Sequence, residues 1–252
     1  IAVAGAAIIV AYRLPFTEMD WVGLATLMGA AVFAGIASTS IALPMHYLLA
    51  QFLGLTTALQ LLEISRPDSP LLNYFLQRAP GTYQHSLQVA NLAEQAAERI
   101  QADTLLIRVG ALFHDVGKST NPLFFVENQP SSQIDSHDDL APEFSAKAII
   151  RHVPDGLGLA HKFRLPRRLY DFIAEHHGTL VTRYQYNRAV QAAQGDASKV
   201  DQNQFRYPGP SPRSKETAIL MFADGVEAQA RAERPRNDDD VRALVRNVIE
   251  RC

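Results

Sequence analysis

Five histidines and two aspartates in this chain have the types and the placement to hold metal ions. Leu112-Phe113-His114-Asp115-Val116-Gly117-Lys118 sets an imidazole beside a carboxylate at the end of an apolar segment. Partners stand at His85, His152, His176, His177 and Asp224, a full set for two divalent ions. Neutral imidazoles suit iron, manganese, nickel or zinc, while a carboxylate can bridge two ions and lower their mutual repulsion. Two ions roughly 3.5–4 Å apart can share a hydroxide for in-line attack on phosphorus and neutralise charge on the phosphoryl oxygens. The chemistry expected of such a set is phosphoester hydrolysis.

A lone histidine on a helix is more often packed or exposed than a ligand, so the placement carries the argument. His85 lies early in one expected helix, His114 and Asp115 end a second, His152 ends a third, and His176 and His177 end a fourth. Asp224 sits mid-helix behind Ile219, Leu220, Met221, Phe222 and Ala223. An aspartate there is costly to bury unless it binds a cation or is otherwise paired. Lys118, one turn beyond Asp115, can meet a non-bridging phosphate oxygen or simply solvate a helix end; spacing does not choose.

The elements that must position these residues follow from composition. A chain of 252 residues allows one large domain or two modest ones. Twenty-four basic against 26 acidic residues leave no balance suited to a nucleic-acid duplex, so a phosphate-bearing ligand needs a local site. The single cysteine, Cys252, excludes an internal disulfide framework and a cysteine-ligated zinc site.

Mean hydropathy is near zero, yet residues 21–62, 42 in all, contain no Asp, Glu, Lys or Arg. That exceeds the roughly 20 residues of one transmembrane helix, and its small residues suit helix packing in lipid. Residues 1–62 therefore read as the C-terminal part of a transmembrane region. Residues 1–12 look like the end of a helix and 13–20 a polar loop. Residues 21–43 form a span led by Trp21 at the interface. Pro44 is expected to interrupt it, leaving 45–62 as a second short span or an interfacial helix. His46 receives no role. Without a basic leader or an initiating methionine, the chain is expected to begin inside a larger protein.

From Glu63 the composition is that of a soluble domain, with residues 63–80 a linker carrying a short helix over 71–77 and a break at Ala79-Pro80-Gly81. Helices are expected over 83–101, over 104–116 with Asp103 as N-cap and Gly117 as stop, and over 142–152 and 156–163 divided by Pro154. Further helices run from Pro166 to His177 with Gly178 as stop, over 184–193, from a Ser214 cap to about Ala232, and from Asp238 onward, the last cut by the end of the fragment. Residues 121–140 and 194–212 read as loops. No stretch alternates with period two long enough to be a strand, so the fold class is all-α.

These residues resemble the HD superfamily of metal-dependent phosphohydrolases. The surrounding text is similar to its membrane-bound seven-transmembrane receptor HD branch, whose known activity is hydrolysis of cyclic di-AMP to the linear dinucleotide pApA. The likeness lies in Ala79-Pro80-Gly81-Thr82-Tyr83-Gln84-His85-Ser86, Phe124-Phe125-Val126-Glu127-Asn128-Gln129, Glu175-His176-His177-Gly178-Thr179 and Arg206-Tyr207-Pro208-Gly209-Pro210 with Ser214-Lys215-Glu216-Thr217-Ala218. It implies transmembrane helices followed by an α-helical HD domain over 81–252, truncated at its C-terminal end. The domain is then cytoplasmic on a multi-pass protein of the inner membrane, in contact with the lipid bilayer, with a homo-oligomer possible and a sensory region upstream. It also implies two divalent ions, manganese or iron: one on His85, His114, Asp115 and Asp224, the other on His152, His176 and His177, with Asp115 bridging. Asp115 and Lys118 are then the catalytic pair.

For the substrate, an adenine can stack on a ring and phosphates can meet cations, which points to Lys118, Arg183, Tyr184, Tyr186 and Tyr207. A Gly-Tyr-Pro signature follows the paired histidines in cyclic di-GMP hydrolases; here Gly178-Thr179-Leu180-Val181 follows them instead. His137, in Asp135-Ser136-His137-Asp138-Asp139, is expected to order a loop, and His161 with Lys162, Arg164, Arg167 and Arg168 to belong to a basic surface. Two other readings stand beside the leading one: a non-catalytic receptor module, and hydrolysis of another cyclic dinucleotide or of linear oligonucleotides.

Overall fold

In a computed structural model of the chain, the first long element is helix α1 (Trp21–Phe52). The structure describes Gly5, Ala7, residues 21–129 and residues 140–252. The rest of the expected helix end at 1–12, the loop at 13–20 and His137 with its acidic neighbours lie outside the described residues. At 1.5 Å per residue, the 32 residues of α1 reach about 48 Å, more than the roughly 30 Å of a bilayer's hydrocarbon. Trp21, Phe33, Ile36 and Leu43 are exposed along it and none of its residues is buried. Among the described residues it is the one helix long and apolar enough to cross a membrane.

Pro44 does not end this helix, as expected from the sequence, but lies inside it. A proline removes one backbone hydrogen bond, a local loss that a long cooperative run of apolar residues can carry. Residues 45–52 thus continue α1 instead of opening a second span. Thr56–Cys252 is a separate compact unit. It begins with α2 (Ala58–Ile64), whose Thr57 forms a capping box with Gln60 and whose Leu61 is buried in the core. The last turn of the charge-free stretch therefore packs into the helical domain.

Next come α3 (Pro70–Arg78) and α4 (Pro80–Arg99), separated by Ala79 alone. Pro80 takes the first helical position, where its missing N–H costs nothing, so the expected break is narrower than its three residues suggest. Helix α5 (Thr104–Phe113) is capped by Asp103, which accepts from the Leu106 N–H at 2.9 Å. Helix α4 packs most extensively on α5. Val89, Ala90 and Ala93 meet Ile107 and Phe113 in one buried cluster, each large side chain contributing about 1.5–3 kcal/mol through burial.

Two boundaries that set the site differ from the expectation. Helix α5 stops at Phe113, and a 3₁₀ turn over Val116–Thr120 follows. Helices α6 (Pro142–Ile150) and α7 (His152–Lys162) divide at Arg151, not at Pro154. Pro154 falls in the first turn of α7, where its N–H would have no helical partner anyway. His152 consequently opens a helix instead of ending one. Helix α8 (Arg167–Glu175) ends just before His176, and Gly178, at φ 50°, turns the chain away after the paired histidines. The segment leading into helix α9 (Arg183–Ala192) pairs with the later loop through a bridge from Val181 to Arg206. Helix α10 (Lys215–Glu233) starts at a Ser214–Thr217 capping box and packs on α4, and α11 (Asp238–Arg251) covers α10 with Leu244 and Val248.

Gly117 is no helix stop. A Cβ there would run into the carbonyl oxygen of His152 and the backbone of Gly156, so glycine is what lets the turn after Asp115 lie against the start of α7. Gly117→Ala is expected to destabilise the protein by about 1–3 kcal/mol, read as a lowered Tm in a thermal melt. An unchanged Tm would show that this close approach is not needed.

Candidate metal centre

The helix ends converge on one buried point. The Nδ1–H of His114 donates to the carbonyl of Ala111 at 2.7 Å, that of His152 to Ile149 at 2.6 Å, and that of His176 to Ile173 at 2.9 Å. Each bond is local and follows from where the helix ends, and each leaves Nε2 as the ring atom free to bind. His85, on α4, differs: its Nδ1–H donates to the Glu227 carboxylate at 2.5 Å. All four Nε2 atoms face inward.

Asp115 lies between them and divides its two oxygens. Oδ2 is 3.3 Å from His114 Nε2 and 3.7 Å from His85 Nε2, while Oδ1 is 3.3 Å from His152 Nε2 and 3.6 Å from His176 Nε2. Asp224, from α10, brings Oδ1 to 2.9 Å from His85 Nε2 and Oδ2 to 3.8 Å from His177 Nδ1. The result is two ligand groups sharing one residue. His85, His114, Asp115 and Asp224 form one, and Asp115, His152, His176 and His177 the other; within each, the ligand atoms lie within 4.8 Å of one another.

Whether these groups fit metal ions can be tested on their hydrogen bonds. Nε2 of His114 and Oδ1 of Asp115 are fully buried and have no hydrogen-bond partner. Leaving a buried polar atom unsatisfied costs about 1–3 kcal/mol. Both atoms point into the ligand groups, and mixed imidazole and carboxylate donors suit divalent transition ions. The residues fit.

Their electrostatics follow from burial against charge. Burial opposes protonation of His85, but bonds to Asp224 and Glu227 raise it to about 9. Burial likewise opposes protonation of His114, and the charges of Asp115 and Asp224 raise it to about 10. Burial would push both aspartates up; Lys118 and His114 instead hold Asp115 well below the usual carboxylate range, and His114 and His85 do so for Asp224. Burial lowers His152 to about 3 and drives His177 well down, so both rings stay neutral. Protons held by His85 and His114 stand where a cation would.

Lys118 is mostly buried, with Nζ 2.8 Å from Asp115 Oδ2 and 3.1 Å from Glu127 Oε1. It also lies over the Phe125 ring, 5.1 Å from the centroid. Glu127 accepts from the Thr82 hydroxyl at 3.0 Å, fixing the 126–128 turn against α4. Glu127 and Glu227 are supporting residues that spacing did not single out. Glu227 follows Asp224 by three positions on one helix face, which is the single local signal for it. Glu175, buried ahead of His176, accepts from the Arg213 N–H at 2.9 Å, the Arg213 Nε–H at 2.7 Å and the Thr217 hydroxyl at 2.7 Å. It ties the paired histidines to the start of α10.

A cleft of about 430 Å³ opens beside the ligands, lined by Lys118, Phe125, His152, His177, Tyr184 and Tyr207 among others. The Tyr207 ring lies against His177, centroids 4.2 Å apart, and the exposed Tyr184 stands on the cleft's wall. Arg183 is not brought to the cleft lining; it is exposed one position earlier on α9, about 100° round the helix from Tyr184. Tyr186 packs on Phe205 in a small satellite cluster and supports α9 instead of the cleft. His161 is exposed at the end of α7.

The HD domain family pattern matches residues 82–229. The chain is 40% identical over 234 residues to the cyclic-di-AMP phosphodiesterase PgpH of Bacillus subtilis (strain 168), covering 92% of this chain and 32% of that protein. It thus spans about a third of that relative's length. The crystal structure of the Listeria monocytogenes PgpH HD domain in complex with cyclic-di-AMP superposes with a TM-score of 0.69 at 39% identity, covering 74% of this chain and 85% of that one. A shorter similarity, 32% identity over 106 residues, connects 42% of this chain with 17% of a ribonuclease Y of Ureaplasma parvum serovar 3 (strain ATCC 27815).

In chelator-treated protein, the raised His85 and His114 add stability that is complete below about pH 6.5 and lost as pH rises to about 9 and 10. The depressed His152 and His177 act oppositely, since only the unfolded chain takes up their protons as pH falls below about 6.5. Stability from the depressed Asp115 and Asp224 is present above about pH 3.9 and lost below it. The metal-free Tm should therefore peak near neutrality and fall on both sides. A Tm rising steadily from pH 7 to 10 would contradict this.

Proposed function

This chain belongs to the HD-domain family, and from that premise we propose that it hydrolyses cyclic di-AMP to pApA at the cytoplasmic face of a membrane. The observation that carries the reading is Asp115, whose two oxygens face two separate imidazole groups beside a cleft. In this reading His85, His114, Asp115 and Asp224 hold one divalent ion, manganese or iron, and His152, His176 and His177 hold the other with Asp115 in common. When bound, the two ions supply a nucleophile at neutral pH and neutralise charge on the phosphoryl oxygens.

The chain's own residues supply position and field. Burial works against the charge on Lys118, but Asp115 and Glu127 outweigh it and raise its pKa, so the ammonium is a permanent cation on the cleft wall. There it can hold a phosphate oxygen as negative charge develops, in mostly buried surroundings that strengthen the interaction. Tyr184 offers an exposed ring for an adenine to stack on. Tyr207, its phenol pushed up by burial and so kept protonated, backs His177 and fixes that imidazole's plane. All seven ligand residues come from one chain, so a homo-oligomer is not required to complete the site.

We assign α1 as the tether to the bilayer, with further spans of a seven-transmembrane receptor architecture upstream. Hydrolysis of linear RNA is the second reading, favoured by the ribonuclease Y similarity, which covers less than half of the chain. Detergent-solubilised chain loaded anaerobically with Mn²⁺ or Fe²⁺ should convert cyclic di-AMP to pApA, followed by chromatography, and the double change His114→Ala with Asp115→Ala should abolish turnover. A folded, metal-loaded chain inactive on a panel of cyclic dinucleotides would overturn the proposal, and faster cleavage of an RNA oligonucleotide would favour the second reading. Tyr184→Ala should raise KM by about 5-fold or more with kcat nearly unchanged, because stacking holds ground and transition states alike. A fall confined to kcat would place Tyr184 in the chemical step.

A further inference from the structure

The two ligand groups are built from unequal charge. Around His85 and His114 stand three carboxylates, Asp115, Asp224 and Glu227, whereas His152, His176 and His177 have Asp115 in common with the first group and Asp224 at 3.8 Å from His177. The imidazoles are also held differently. His114, His152 and His176 each donate Nδ1–H to a backbone carbonyl three residues back, at the end of the helix that precedes them. His85 lies inside α4, where the carbonyls are taken up by the helix, and a side chain from a different helix takes its Nδ1–H.

That side chain is Glu227, buried, 142 positions from His85 and one turn beyond Asp224 on the same face of α10. Helix α10 therefore grips one imidazole from both sides, with Asp224 Oδ1 2.9 Å from Nε2 and Glu227 Oε2 2.5 Å from Nδ1. Besides His85, Glu227 has the partly exposed Arg231 as an ion-pair partner at 3.7 Å. A carboxylate on the far nitrogen fixes the ring's tautomer and orientation and makes Nε2 a stronger donor than a carbonyl would.

Resting on the dinuclear reading above, we propose that Glu227 is a positioning residue that makes the half-sites unequal: the ion beside His85 binds more tightly and is the last to leave. The half-sites can be read singly in the solubilised full chain. His176→Ala leaves the His85 half-site, His114→Ala leaves the three-histidine half-site, and Mn²⁺ titration followed by electron paramagnetic resonance reports each affinity. In the His176→Ala background, Glu227→Gln should weaken Mn²⁺ binding by about 10-fold and Glu227→Ala by up to about 100-fold. The same changes in the His114→Ala background should leave the affinity unaltered, and wild-type protein should lose its ions to chelator in two steps. Because Glu227→Gln keeps size and an acceptor oxygen, it tests the charge without relying on a cavity-forming variant. Unchanged affinity in the His176→Ala background, or equal weakening of both half-sites, would overturn the inference. Failure of wild-type protein to bind two ions would instead count against the dinuclear reading.

Discussion

Asp115 is a buried carboxylate placed among four inward-facing imidazole nitrogens, and it must be stabilised as an anion for the surrounding structure to hold. Burial alone would drive it neutral. Lys118 at 2.8 Å and the protonated His114 prevent this in the metal-free chain. A buried pair missing one partner costs several kcal/mol, so Lys118 and Asp115 are best regarded as one unit. Everything that fixes this unit is needed in turn: the α5 terminus at Phe113, the 3₁₀ turn, and the glycine that admits the His152 carbonyl.

The ligands come from widely separated segments, and buried polar links register those segments against one another. Glu175 joins the paired histidines to the cap of α10 through Arg213 and Thr217, which bears on where Asp224 falls farther along that helix. Glu127 joins Lys118 to Thr82, at the start of the helix that carries His85. The apolar cluster around Phe113, Phe172 and Leu220 supplies most of the cohesion through burial, but it is non-directional. The directional Nδ1–H bonds, to backbone carbonyls from His114, His152 and His176 and to the Glu227 carboxylate from His85, specify which nitrogen of each ring turns inward.

The ligand residues were legible because their types are expensive to bury without a purpose, and Asp224 amid apolar neighbours is the clearest case. The all-helical class was legible from apolar periodicity and from caps such as Asp103 and Ser214, whose side chains do accept the N–H bonds their positions suggest. Helix ends were less legible. Pro44 and Pro154 both read as breaks, yet one sits within a long apolar helix and the other in a first turn that needs no donor. Gly117 read as a stop because a sequence cannot display the His152 carbonyl that requires it. Glu227 was missed for the same reason, since its partner lies 142 positions away.

If one carboxylate serves two ions, its removal must differ in kind from removal of any histidine. Metal content per chain, measured on folded Asp115→Ala beside His85→Ala and His176→Ala, tests this directly. Two ions in the wild type, one in each histidine variant and none in Asp115→Ala is the expected result. Retention of one ion by Asp115→Ala would show that the half-sites do not depend on a common residue.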